Sequence, residues 1–175
     1  MLKKIAIVVA VIVAGILAFA ATRPDSFRVV RTTSIKAPPE KIYPLLADFH
    51  AWPAWSPWEK LDPALRRTFS GAPSGKGAVY EWAGDGKVGA GRMEITDAVV
   101  PSKVAIQLDF AAPIESRNVT AFTLAPAAGA TNVTWDMSGP SNYLTKVMGV
   151  FVSMDSMIGK DFEAGLANLK AAAEK

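Results

Sequence analysis

The sequence predicts an α+β fold, an antiparallel sheet with its helices gathered on one face. Three observations carry this prediction. Strand-like segments follow one another between residues 65 and 138, separated by turn signals. Within them, Val104, Ile106, Leu108 and Phe110 alternate with Ala105, Gln107 and Asp109, which makes one face buried and one wetter. At the C-terminus, Met154, Ile158, Phe162, Leu166 and Leu169 share one helical face at a period near 3.6.

The elements follow in order. Residues 5–21 are unbroken apolar sequence, preceded by Lys3 and Lys4 and followed by Arg23-Pro24-Asp25. This stretch lies between the roughly 7–15 residues of a signal-peptide core and the roughly 20 of a spanning helix. It has no polar face, so it does not suit a buried helix of a soluble domain. We expect residues 1–22 to be a membrane anchor or signal segment and 23–175 to be one domain. As an anchor it contacts the membrane through residues 5–21, and the leading lysines place the N-terminus inside and the domain outside. The alternative is cleavage at Ala18-Phe19-Ala20 and secretion.

Residues 27–36 are rich in Val and Thr and form a first strand. Ala37-Pro38-Pro39-Glu40 signals a helix start, and Pro44 keeps that helix short or kinked. Residues 48–57 form a second, irregular helix or loop. Six strands then follow at 65–69, 77–83, 88–97, 104–110, 115–124 and 132–138. Gly84-Asp85-Gly86 turns one hairpin. In the last helix, Gly159 and Gly165 weaken the intrinsic propensity, so it needs tertiary packing.

Composition excludes several functions. The chain has 175 residues, 50% of them hydrophobic and 20% charged, which suits a packed core rather than disorder. Without cysteine there is no disulfide, thiolate metal site or cysteine nucleophile. The net charge is +3, and Lys3 and Lys4 supply two of those charges, leaving the domain near neutral with no footprint for nucleic acid. His50 is the lone histidine and reads as a polar turn residue. Acidic residues do not cluster at metal-ligand spacing and no phosphate-binding loop occurs, so no metal or cofactor is expected.

Three motifs carry a resemblance. They are the strand-to-helix join Ile35-Lys36-Ala37-Pro38-Pro39-Glu40-Lys41-Ile42, the aromatic run Phe49-His50-Ala51-Trp52-Pro53-Ala54-Trp55-Ser56-Pro57-Trp58, and Gly139-Pro140 with Met154-Asp155-Ser156-Met157-Ile158-Gly159-Lys160-Asp161-Phe162. Over residues 27–174 the chain resembles the START/Bet v 1-like superfamily, within it the SRPBCC group of polyketide cyclase/dehydrase-like proteins. The resemblance implies a helix-grip fold: a curved antiparallel sheet wrapped around a long C-terminal helix, two short helices after the first strand, and here an added N-terminal apolar helix. It also implies a cavity between sheet and helix.

The cavity candidates follow from the faces already assigned. Trp52, Trp55 and Trp58, at spacing three, either fix the short helices as a small core or form a rim that stacks on an apolar guest. Tyr80, Trp82, Ile106, Leu108, Phe110, Trp135 and Met137 come from the concave strand faces. Met154, Met157 and Ile158 come from the long helix, where methionine fills irregular space. Arg92 and Glu94 share a strand face and read as a solvated pair unless that face is concave. The functional expectation is non-catalytic binding or transport of an apolar small molecule or lipid, with no catalytic residue assigned. One alternative is a polyketide cyclase/dehydrase-like enzyme, with Glu81, Glu94, Asp109, Asp136 or Tyr143 supplying acid or base. The other is a co-chaperone or stress-response interaction domain, which would have a filled interior and an exposed apolar patch.

Overall fold

Seven strands form one antiparallel sheet in the order β1-β7-β6-β5-β4-β3-β2 in the computed structural model, which describes residues 1–175. Helix α1 (Leu2–Ala21) leads into β1 (Ser26–Ile35) and then α2 (Pro39–Ala47). Two 3-10 turns, Phe49–Ala54 and Pro57–Lys60, follow. The meander is β2 (Arg66–Gly71), β3 (Ala78–Ala83), β4 (Ala90–Val99), β5 (Lys103–Ala112), β6 (Ser116–Ala127) and β7 (Ala130–Pro140). Helices α3 (Tyr143–Met148) and α4 (Met154–Ala173) close the chain. This is the helix-grip fold.

The local chemistry accounts for these elements. In α2, proline occupies the first turn, where its missing N–H costs nothing, while Pro44 lies inside the nine-residue helix and removes one of its backbone donors. Asp48 caps the first 3-10 turn by accepting from the backbone N–H of His50 at 2.8 Å. Ser153 caps α4 by accepting from the N–H of Ser156 at 3.1 Å. The register slips between Ile95 and Asp97 of β4, leaving Thr96 without a partner on β5. A bulge of this kind bends the strand and helps to curve the sheet around α4.

The alternating residues of the strands turn one face inward. Val29, Ile35, Ile95, Val104, Ile106, Phe122 and Val133 are fully buried there beneath Phe162, Leu166 and Leu169 of α4. Burying each such side chain stabilises the fold by about 1.5–3 kcal/mol. Helix α4 runs parallel to β1. Its first turns face Arg31, which donates to Asp155 at 2.7 Å, and its last turn reaches Ser34, whose carbonyl accepts from Lys170 Nζ at 2.8 Å.

The register defines two ends of the sheet. At one end lie the start of β1, the end of β7, the β3–β4 and β5–β6 turns and the start of α4. Helix α1 joins the domain at this end. The β2–β3, β4–β5 and β6–β7 turns lie at the other. Helix α3 was not among the elements read from sequence. Six residues are too few to show a period, although the Asn142 carboxamide caps it by accepting from the N–H of Thr145 at 2.8 Å.

Helix α1 is long and apolar enough to cross a membrane. Ala20 is its one buried residue, and none of the hydrophobic core comes from it.

Candidate ligand cavity

Strands β3 to β7, the second 3-10 turn and α4 enclose a cavity of about 270 Å³. Its wall is mostly hydrophobic. The meander supplies Tyr80, Trp82, Met93, Leu108, Phe110, Thr120, Trp135 and Met137 from the inward face. Helix α4 supplies Ile158 and Phe162 from its buried stripe. The proline-rich turns supply Trp52, Ser56, Trp58 and Glu59.

The aromatic residues are fixed by contacts among themselves. Trp135 stacks on Phe162 with centroids 4.1 Å apart, and Trp58 meets Trp135 edge-on at 5.8 Å. Trp52 donates its indole N–H to the carbonyl of Leu46 at 3.2 Å, and Trp55 donates to that of Leu45 at 2.8 Å. The indole N–H of Trp135 donates to the Thr120 hydroxyl at 2.8 Å, which donates in turn to the carbonyl of Asp136 at 3.1 Å. These polar atoms are therefore satisfied within the wall, and the face offered to a guest is apolar.

One buried charged group interrupts that face. Glu59 is buried, and its two carboxylate oxygens are engaged separately. Tyr80 donates its hydroxyl to Oε1 at 2.7 Å, and Arg67 donates Nε to Oε2 at 2.6 Å. Arg67 also donates Nη2 to the Glu59 carbonyl at 2.9 Å. Burial, then the hydrogen bond to Glu59, pushes the Tyr80 hydroxyl well above its ordinary pKa. Tyr80 is thus held protonated at neutral pH, as a hydrogen-bond donor rather than a base. The same carboxylate raises the pKa of Arg67.

The residues named from sequence divide by position. Trp52, Trp58, Tyr80, Trp82, Leu108, Phe110, Trp135, Met137 and Ile158 line the cavity. Trp55 and Ile106 do not; both sit in the solid core. Met154 is half-buried against the core, and Met157 faces solvent. The tryptophan run therefore serves two purposes, with Trp55 as core and its neighbours at the cavity. Met93 and Phe162 were missed as lining residues. Met93 carried the same strand alternation, and Phe162 was assigned to sheet packing alone. Nothing in the local sequence Pro57-Trp58-Glu59-Lys60 marks Glu59, because its partners come from β2 and β3.

The acid and base candidates read from sequence lie outside the cavity. Glu94 accepts from Arg92 at 2.7 Å on the outer sheet face. Asp109 accepts from Gln107 at 2.8 Å, and Asp136 pairs with Arg28. Glu81 and Tyr143 are exposed. His50 is exposed too, stacked on Phe69 at 4.1 Å and bonded to Asp48.

The sequence profile described as polyketide cyclase/dehydrase and lipid transport matches residues 26–174. The chain belongs to this family. No curated protein matches the sequence significantly. Solved structures share the fold of this polyketide cyclase/dehydrase and lipid transport domain at low identity. The Aha1 dimer from Colwellia psychrerythraea is 19% identical with a TM-score of 0.61, covering 85% of this chain and 96% of that one. The di-domain ARO/CYC BexL from the BE-7585A biosynthetic pathway is 16% identical with a TM-score of 0.62, covering 91% of this chain and 53% of that one. Ara h 8.0201 is 13% identical with a TM-score of 0.57, covering 85% and 95%. At these identities the likeness concerns fold alone, and function has to be argued from the cavity.

Proposed function

We propose that this member of the polyketide cyclase/dehydrase and lipid transport family holds one apolar small molecule or lipid chain in its cavity without transforming it. The carrying observation is the 270 Å³ cavity with an aromatic and aliphatic wall. That volume lies near the lower end of small-molecule sites, about 300–1,000 Å³. It suits one acyl-chain segment or a small fused-ring compound and is too small to bury both chains of a phospholipid. Glu59 and Tyr80 give the guest a polar end to orient against. Helix α1 anchors the protein in the membrane with the domain on the outer side, which keeps the cavity close to a source of apolar guests.

The test is native mass spectrometry of residues 24–175 after exposure to a lipid extract. This portion carries the whole hydrophobic core. A one-to-one adduct is expected, and a chain that stays free of any bound or extractable guest contradicts the reading.

A second reading, a cyclase- or dehydratase-type enzyme, is favoured by one observation: Tyr80 and Glu59 both face the cavity. It requires Tyr80 to act as the acid. Turnover of a polyketide analogue that is lost in Tyr80→Phe while guest binding persists would establish it. The interaction-domain alternative requires a filled interior, which the cavity opposes.

A further inference from the structure

We infer that α3 and the loop after it form a second membrane-contacting surface, lying in the headgroup region of the leaflet that α1 enters and holding the cavity mouth against the bilayer. This rests on the reading of α1 as a membrane helix.

Four observations support it. First, the stretch from Tyr143 to Val152 presents uncovered apolar side chains: Phe151 is 70% exposed and Leu144 59%, with Met148 and Val152 exposed beside them. Secondly, α3 is fastened alongside α1. Tyr143 donates its hydroxyl to the carbonyl of Leu17 at 2.9 Å, and Lys146 pairs with Asp25 in the linker between α1 and β1. Leu17 lies four residues inside the end of α1 at Ala21, a depth of about 6 Å at 1.5 Å per residue. If α1 spans the bilayer, α3 sits at the depth where tyrosine rings and interfacial helices are favoured.

Thirdly, the guanidinium of Arg23 lies 5.7 Å from the Phe19 ring, which places a cation at the end of the apolar helix where it can reach headgroups. Fourthly, the cavity opens at this same end. Its less buried lining residues are Lys87 and Val88 in the β3–β4 turn, Trp82 and Phe110 near the ends of β3 and β5, Ile158 in the first turns of α4 and Trp58 in the second 3-10 turn. Ile114 of the β5–β6 turn is exposed there too. A bilayer covers the patch by continuity with α1, and a guest can pass from it to the mouth without crossing bulk water.

The chain has no cysteine, so single labelling sites can be introduced into the full-length protein. Leu144→Cys, Phe151→Cys, Ile12→Cys in α1 and Ala128→Cys in the distant β6–β7 turn would each carry an environment-sensitive fluorophore. The proteins would be reconstituted in phosphatidylcholine/phosphatidylglycerol vesicles containing doxyl-labelled lipid. Labels at 144 and 151 are expected to lose most of their emission to shallow doxyl groups, the label at 12 to deep ones, and the label at 128 to neither. Labels at 144 and 151 as water-accessible as 128, with 12 still quenched, would overturn the inference and leave the anchor standing. Loss of quenching at all three sites would remove both. Quenching at 144 and 151 without quenching at 12 would remove the anchor and overturn the inference as stated, since the surface would then bind the bilayer without α1. Shielding of 151 that is insensitive to doxyl lipid and falls on dilution would assign the patch to a second copy of the chain, overturning the inference.

Discussion

The indole of Trp135 lies flat on the ring of Phe162, with 10° between their planes, and so joins β7 to α4 at the inner wall of the cavity. Gly165 makes this contact possible. A β-carbon at that position would come within 2.8 Å of Trp135 Cζ3 and 3.2 Å of Pro57 Cδ. Both atoms belong to rigid rings, that of Trp135 in the core. Alanine gains about 1 kcal/mol of helix propensity over glycine. Overpacking against rigid neighbours costs about 1–3 kcal/mol. Gly165→Ala should therefore destabilise the fold in urea denaturation despite the better helix former.

Gly159 behaves differently. A β-carbon there would overlap the guanidinium of Arg31, the far end of a flexible side chain. Arg31 bridges Asp155 and Glu163, one helical turn to either side, at 2.7 Å each. Gly159→Ala can displace the guanidinium but forfeits these pairs. We expect it to yield less than the propensity gain of about 1 kcal/mol, and to recover that gain when Arg31→Ala is already present. A double-mutant cycle of unfolding free energies reads the difference.

The Arg31 pair also sets an acid dependence. Its hydrogen bond to Asp155 lowers that carboxyl's pKa below the ordinary value. A lowered folded pKa contributes stability above the unfolded value of about 3.9, and that stability is lost as pH falls through the folded value. Arg31→Ala should flatten the acid limb of the stability curve below pH about 4, measured by thermal melts across pH.

Tyr80 predicts the alkaline limb. Burial and the hydrogen bond to Glu59 raise its pKa above the ordinary 10.0. The unfolded chain releases this proton first, so stability is full below pH about 10 and declines as pH rises towards the folded value. Tyr43, raised by burial, acts in the same sense. Tyr80→Phe should shrink the alkaline decline, with the share of Tyr43 persisting. At neutral pH it should cost about 1.5–3 kcal/mol, because the lost hydrogen bond is to the buried Glu59 carboxylate.

Filling the cavity separates binding from folding. Leu108 is buried on β5 and its side chain lines the cavity. Leu108→Trp places a larger ring in the void. It should abolish the one-to-one adduct in native mass spectrometry while changing stability by no more than about 1–3 kcal/mol.

Much of the fold was legible in the sequence because periodicity reports burial directly. The alternation of Val104, Ile106 and Leu108 identified the inward face of β5, and the stripe from Met154 to Leu169 identified α4. What alternation cannot report is where the helix crosses the sheet. Ile106 and Leu108 share a face, yet Ile106 is packed solid and Leu108 meets the cavity. Glu59 stayed hidden because its partners Arg67 and Tyr80 are eight and twenty-one residues away. Gly159 and Gly165 read as weak points in a helix, whereas the structure shows each one making room for a side chain of the sheet, Arg31 and Trp135.

The cavity's own fluorophores offer the most direct test of guest binding. Four of the five tryptophans, Trp52, Trp58, Trp82 and Trp135, line it. Titration of residues 24–175 with a brominated fatty acid brings a heavy-atom quencher into contact with them only if the guest enters. The account predicts saturable loss of most tryptophan emission at one equivalent, reversed by an unbrominated competitor. Emission that stays unchanged, or that falls without saturating, would contradict it.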